Sequence, residues 1–78
     1  MGPISALVHA LKEVPGLPPF TLEDYEEESM GTSDEADAIC FVRIKKDSSS
    51  NLKIGIGTDP NVIQAAAKAV INGLNALL

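Results

Sequence analysis

The first apolar pattern in the chain is helical. Ile4, Leu7, Val8 and Leu11 fall at i, i+3, i+4 and i+7, which lays them along one stripe. Pro3 suits the first helical position, where its missing N–H would be unpaired in any case. Val14-Pro15-Gly16 stops the pattern, and Pro18-Pro19 bars an early restart. The spacing predicts a helix over residues 3–13 with one buried face, too short to persist alone.

The pattern then switches to period two. Phe20 and Leu22 alternate with Thr21 and Glu23, which opens a strand over residues 20–30. Glu23, Asp24, Glu26, Glu27 and Glu28 surround Tyr25, so this strand faces water in part, at an edge or beyond the sheet. Residues 31–37 read as a loop: Gly31 permits positive φ, and Thr32, Ser33 and Asp34 bond to their own backbone. Residues 38–46 form the clearest strand, with Ala38, Cys40, Val42 and Ile44 on one face and Ile39, Phe41, Arg43 and Lys45 on the other. Its start is apolar on both faces, the mark of a central strand covered on both sides there. Asp47–Asn51 is a polar hairpin connection to a third strand, 52–57. The alternation places Leu52, Ile54 and Ile56 on the core face of that strand and Gly55 and Gly57 on the opposite face. Glycine there signals close approach by another backbone or by a ligand.

The last segment returns to helical spacing. Asp59 reads as N-cap and Pro60 as the first residue of a helix over 60–77. Val62, Ala66, Ala69, Val70, Gly73, Leu74 and Leu77 share one broad face, whose small residues allow a close neighbour. The order α-β-β-β-α predicts an α+β fold: one domain over residues 1–78, with two helices on one face of a three-stranded antiparallel sheet. The uncovered sheet face carries Ile39 and Phe41 and is expected to be an association surface.

Composition bounds what this fold can do. Seventy-eight residues give an undersized core, which gains stability from a partner or from a second copy. One cysteine forms no internal disulfide, and one Cys with one His does not furnish a zinc site. Six basic against 11 acidic residues, with no basic residue between Lys12 and Arg43, argue against nucleic acid or an anionic membrane as partner. No span of about 20 apolar residues is present, and the N-terminus lacks the charge and continuous apolar run of a signal peptide. The expected location is the cytoplasm.

Candidate chemistry is sparse. His9 stands beside Ser5 and Glu13 at four-residue spacing, but helix neighbours without an oxyanion hole do not make a triad. Cys40 alternates with core residues and reads as a small buried hydrophobe. IGIGTDPN lacks the third glycine and the lysine of a phosphate loop, and Asp59 would repel phosphate. No catalytic residue, metal or cofactor is expected. The small residues at element ends (Ser5, Gly31, Thr32, Ala36, Ala38, Gly55 and Gly57) suit a small amphiphile such as an amino acid. Its carboxylate would seek helix N-terminal N–H groups.

Three stretches carry a resemblance to a known family: GPISALVHAL, EDYEEESMGTSDEADAICFV and GIGTDPNVIQAAAKAVINGLNALL. Together they resemble the C-terminal regulatory domain of α-isopropylmalate synthase; citramalate synthase has a similar domain. The likeness implies a domain that pairs across a homodimer and binds an end product, leucine or, in citramalate synthases, isoleucine. In that family a catalytic barrel condenses acetyl-CoA with 2-oxoisovalerate, and this chain contains no counterpart of the barrel. The family's effector pocket carries over onto Gly2, Ile4 and Ser5 of the first helix, Leu22, Tyr25 and Ser29 of the first strand, and Ala36 and Ala38. The rival expectation is a dimerisation module that binds no ligand.

Overall fold

The computed structural model describes residues 2–31 and 36–78, with backbone only for Gly2 and Pro3. The chain runs α1 (Gly2–Lys12), β1 (Phe20–Met30), β2 (Asp37–Lys46), β3 (Leu52–Asp59) and α2 (Val62–Leu77). This is the expected α-β-β-β-α order. Gly31 has φ of +91° and ends β1, as its lack of a Cβ allows. Thr32, Ser33 and Asp34, expected to build the turn that follows, lie outside the described residues.

The sheet is antiparallel in the order β1-β2-β3, so β2 is central and both other strands are edges. Both helices cover one face. The core lies between them and the sheet: Ile4, Phe20, Cys40, Val42, Ile44, Ala65, Ala66, Ala69, Val70 and Leu74. Leu7, Val8 and Leu11 pack against it from α1, which realises the first helical stripe. Among the described residues the other sheet face has no covering layer, so β2 is central without being covered on both sides.

A bulge between Leu22 and Asp24 shifts the register of β1 by one residue. Before it, Phe20 and Leu22 face the helices; after it, Tyr25 does, and Asp24, Glu26 and Glu28 take the open face. The apolar residues at 20, 22 and 25 break simple alternation, and that break was the signal of the bulge.

Three sequence expectations are corrected. Gly55 and Gly57 are buried beneath α2, whereas Leu52, Ile54 and Ile56 are exposed on the open face. The close approach that glycine signals is the approach of α2 itself. A Cβ on Gly55 would fall 2.5 Å from the backbone N of Gly73 and closer still to Ala69 O; one on Gly57 would fall 2.5 Å from Ala69 N. Helix and strand backbones thus touch, and bulky side chains on that face of β3 are excluded. The second correction is the cap. Asn61, not Asp59, is the N-cap of α2, its Oδ1 accepting from Ile63 N at 2.8 Å and Gln64 N at 3.2 Å. Asp59 ends β3, where its carboxylate accepts from Asn61 N at 2.9 Å and pairs with Lys68 Nζ at 2.9 Å. Val62, expected on the buried face, is 41% exposed, and Ala65 takes its place.

Candidate functional site

Of the eight residues singled out as an effector site, six occupy three settings; Tyr25 lies between two of these, and Gly2 is described only as backbone of α1. Ile4 is buried in the core at the start of α1, so its side chain packs rather than lines a surface. Ser5 and Leu22 line a groove of about 280 Å³ between α1 and β1, together with Val8, His9, Lys12 and Thr21. Ser29, Ala36 and Ala38 line a second groove of about 520 Å³ at the far end of the sheet, walled by Glu27, Glu28, Asp37, Pro60 and Val62. Among the described residues no single depression gathers all eight.

Tyr25 lies on the helix side of β1 between the strand positions that reach the two grooves. It is half-buried, with its hydroxyl 3.6 Å from Cys40 Sγ. Cys40 Sγ in turn lies 3.9 Å from Val62 O, at the start of α2 and on the wall of the second groove. Burial pushes the Tyr25 phenol well above its ordinary value, and the neighbouring Cys40 adds to the shift. Tyr25 therefore stays neutral over the physiological range and offers a hydroxyl, not a charge. Cys40 itself is fully buried, as expected of a small core hydrophobe.

The helix N-termini differ in what they can offer an anion. At α2 the Asn61 side chain already takes two of the first N–H groups, and Asp59 stands beside it. At α1 the first turn holds no acidic residue. Of the two, α1 keeps its N–H groups free of side-chain caps among the described residues. The groove beside it carries His9, which is exposed, and Lys12, whose Nζ sits 5.5 Å from the Phe20 ring centroid.

Among the described residues no group of three or more His, Cys, Asp or Glu is placed to hold a metal. His9 is exposed on α1, and the strand-to-helix segment Gly55–Asn61 is committed to packing and capping. No helix among the described residues is long and apolar enough to cross a membrane.

Comparison with known proteins identifies the family. The LeuA allosteric (dimerisation) domain family matches residues 1–78. The chain belongs to this family. A 2-isopropylmalate synthase of Ralstonia pickettii is 38% identical over 77 residues, 99% of this chain and 13% of the relative. Those of Ralstonia nicotianae and Rhodospirillum rubrum are 37% and 38% identical over 76 residues, each 97% of this chain and 13% of the relative. The chain thus spans about an eighth of the length of the curated relatives it matches. What it shares with these synthases is the LeuA allosteric (dimerisation) domain.

Proposed function

We propose that this LeuA domain is the leucine-sensing, dimerising part of a 2-isopropylmalate synthase, carrying feedback inhibition and no chemistry of its own. The observation that carries the reading is the match of all 78 residues to an allosteric (dimerisation) domain. The geometry supports it in two ways. The start of α1, whose first turn holds no acidic residue, can receive a carboxylate. The small side chains of Ser29, Ala36 and Ala38 leave a groove wide enough for a branched aliphatic group. Gly2, Ile4, Ser5, Leu22, Tyr25, Ser29, Ala36 and Ala38 are the proposed effector residues, with Ile4 setting the position of the α1 first turn from within the core. Because the grooves are separate within one chain, pairing of two chains in a homodimer is the step proposed to complete the site. Leucine is placed ahead of isoleucine because the relatives are 2-isopropylmalate synthases rather than citramalate synthases. Such a domain acts in the cytoplasm with the rest of its enzyme.

Calorimetric titration with leucine, isoleucine and valine tests the reading. Leucine is expected to bind most tightly, and Tyr25→Ala to weaken it with the fold intact. Failure of all three amino acids to bind at millimolar concentration sinks the effector reading. The separation of the two grooves favours a second reading, a dimerisation module without a ligand, and that outcome would select it.

A further inference from the structure

The sheet face turned away from the helices is divided by charge. β3 presents Leu52, Ile54 and Ile56, which are 46, 59 and 47% exposed. β2 presents Ile39 and Phe41 and then Arg43, and β1 presents Asp24, Glu26 and Glu28. The ladders set these in rows: Glu28–Ile39–Thr58, Glu26–Phe41–Ile56 and Asp24–Arg43–Ile54. One flank is therefore acidic, and the remaining two-thirds is mainly apolar. The strand edges offer poorer surfaces. On β3, Asn72 Nδ2 donates to Ile56 O at 2.7 Å and Lys68 Nζ to Thr58 O at 3.3 Å, so its carbonyls are engaged by α2. On β1, edge-to-edge pairing of two copies would bring acid against acid.

We propose that this open face packs on the same face of a second copy, offset so that β2 of each lies over β3 of the other. Both β1 strands then remain at the outer rims. The inference rests on the reading above that the domain dimerises, and it assigns the surface and the register. Charge selects the offset. Stacking centred on β2 would lay the β1 carboxylates over Ile54 and Ile56 of the other copy, out of water and unpaired. A flip that sets β1 over β1 would face three carboxylates with three at the sheet separation of about 10 Å. With the offset, the two acidic columns lie about three strand spacings apart and one layer apart, roughly 17 Å, about twice the screening length at physiological salt. Phe41 then covers Ile56 of the other copy, and Arg43 crosses Ile54 of the other copy beside its own ladder partner Asp24, so the interface acquires an apolar centre and a charged rim. The same patch meets itself, as a two-fold axis requires.

Sedimentation of the full 78-residue chain tests the surface. Ile54→Lys, whose cation would face Arg43 of the other copy, is expected to weaken association by roughly 30-fold or more with an unchanged circular dichroism spectrum. Ile71→Glu, on the exposed side of α2, and Glu26→Gln, at the rim, are expected to stay within about threefold of wild type. A chain that remains monomeric on the order of hundreds of micromolar overturns the proposal. So does a dimer that ignores Ile54→Lys or loses as much from Ile71→Glu. The register has its own readout that leaves the apolar centre untouched. A nitroxide on Glu26→Cys, with Cys40 buried and out of reach, is expected to show only weak dipolar broadening between copies, as a separation of roughly 17 Å gives. Strong broadening, as from labels about 10 Å apart, would place the β1 strands face to face and overturn the offset. Leucine titration of the same samples separates the two readings. A leucine-binding dimer that ignores Ile54 defeats this inference alone, and an Ile54-dependent dimer that takes no leucine defeats the effector reading alone.

Discussion

At Gly55 one methyl group decides whether α2 can lie where it does. The Cβ of an alanine there would meet backbone atoms of Ala69 and Gly73 rather than flexible side-chain ends. Backbone cannot swing aside as a rotamer can, so strand and helix would have to separate along their contact. Gly55→Ala is therefore expected to cost about 3 kcal/mol, the upper range for overpacking. Thermal unfolding should register this as a fall in Tm of roughly 12–24 °C for a domain of this size. A change of a few degrees would mean that helix and strand lie farther apart than the structure places them. Gly73, on the other side of the contact, is less constrained, because its added Cβ would meet Ile44 Cδ1 at 2.9 Å, the tip of a side chain that can turn. The glycines were legible in the sequence as sites of close approach, but the side of the strand was not. Alternation alone assigns Leu52, Ile54 and Ile56 inward because they are apolar. It cannot weigh that preference against a helix whose facing stripe, Ala65, Ala69 and Gly73, is too small to leave room for them.

The edge and the end of β3 depend on polar side chains that alternation does not register. Asn72 and Lys68 reach from α2 to the carbonyls of Ile56 and Thr58. Removing both side chains, Asn72→Ala with Lys68→Ala, frees that edge for pairing with another strand. The double variant is expected to scatter more light on mild heating while keeping its helix and strand content; unchanged scattering would show that the edge needs no such cover. Asp59 links the same strand to α2. The Asn61 backbone N–H, and after it Lys68, hold its carboxyl below the ordinary carboxylate range. A folded-state value below the unfolded one, about 3.9, means stability that is present above roughly pH 4 and lost as pH falls through the folded value. Asp59→Asn should therefore be the less stable protein at neutral pH, with the gap closing in acid. A gap that persists at low pH would assign the effect to shape rather than to charge. The strands and helices themselves were legible because their periods are clean: each strand begins within one residue of its expected start. The cap was not. Asp59, Pro60 and Asn61 all suit a helix start, and only the geometry shows that Asp59 is still pairing with Ala38 in the sheet.

The whole molecule is more elongated than its length requires, with extents of 43 × 21 × 19 Å. Its radius of gyration is 12.8 Å, against about 11.5 Å for a compact chain of 78 residues. Three of the ten buried core residues are alanines, so the core is also lean in apolar volume. Such a chain sits near the lower end of domain stability, where a bound partner or ligand has a large relative effect. Anything that binds only the folded form raises its stability by RT ln(1 + [L]/Kd), about 2.7 kcal/mol at a hundredfold excess over Kd. For a domain this small that is a rise in Tm of roughly 10–20 °C. Leucine at such excess is expected to produce this shift, and glycine, which shares the carboxylate and ammonium but has no side chain for the Ala36–Ala38 groove, to produce little. Equal shifts from the two would mean that only the amino-acid backbone is recognised, which would remove the groove from the site and leave the α1 N-terminus alone. Raising the protein concentration at fixed leucine should lift Tm further if two chains complete the site, because dissociation then accompanies unfolding. A leucine shift that does not depend on protein concentration would place the whole effector site within one chain.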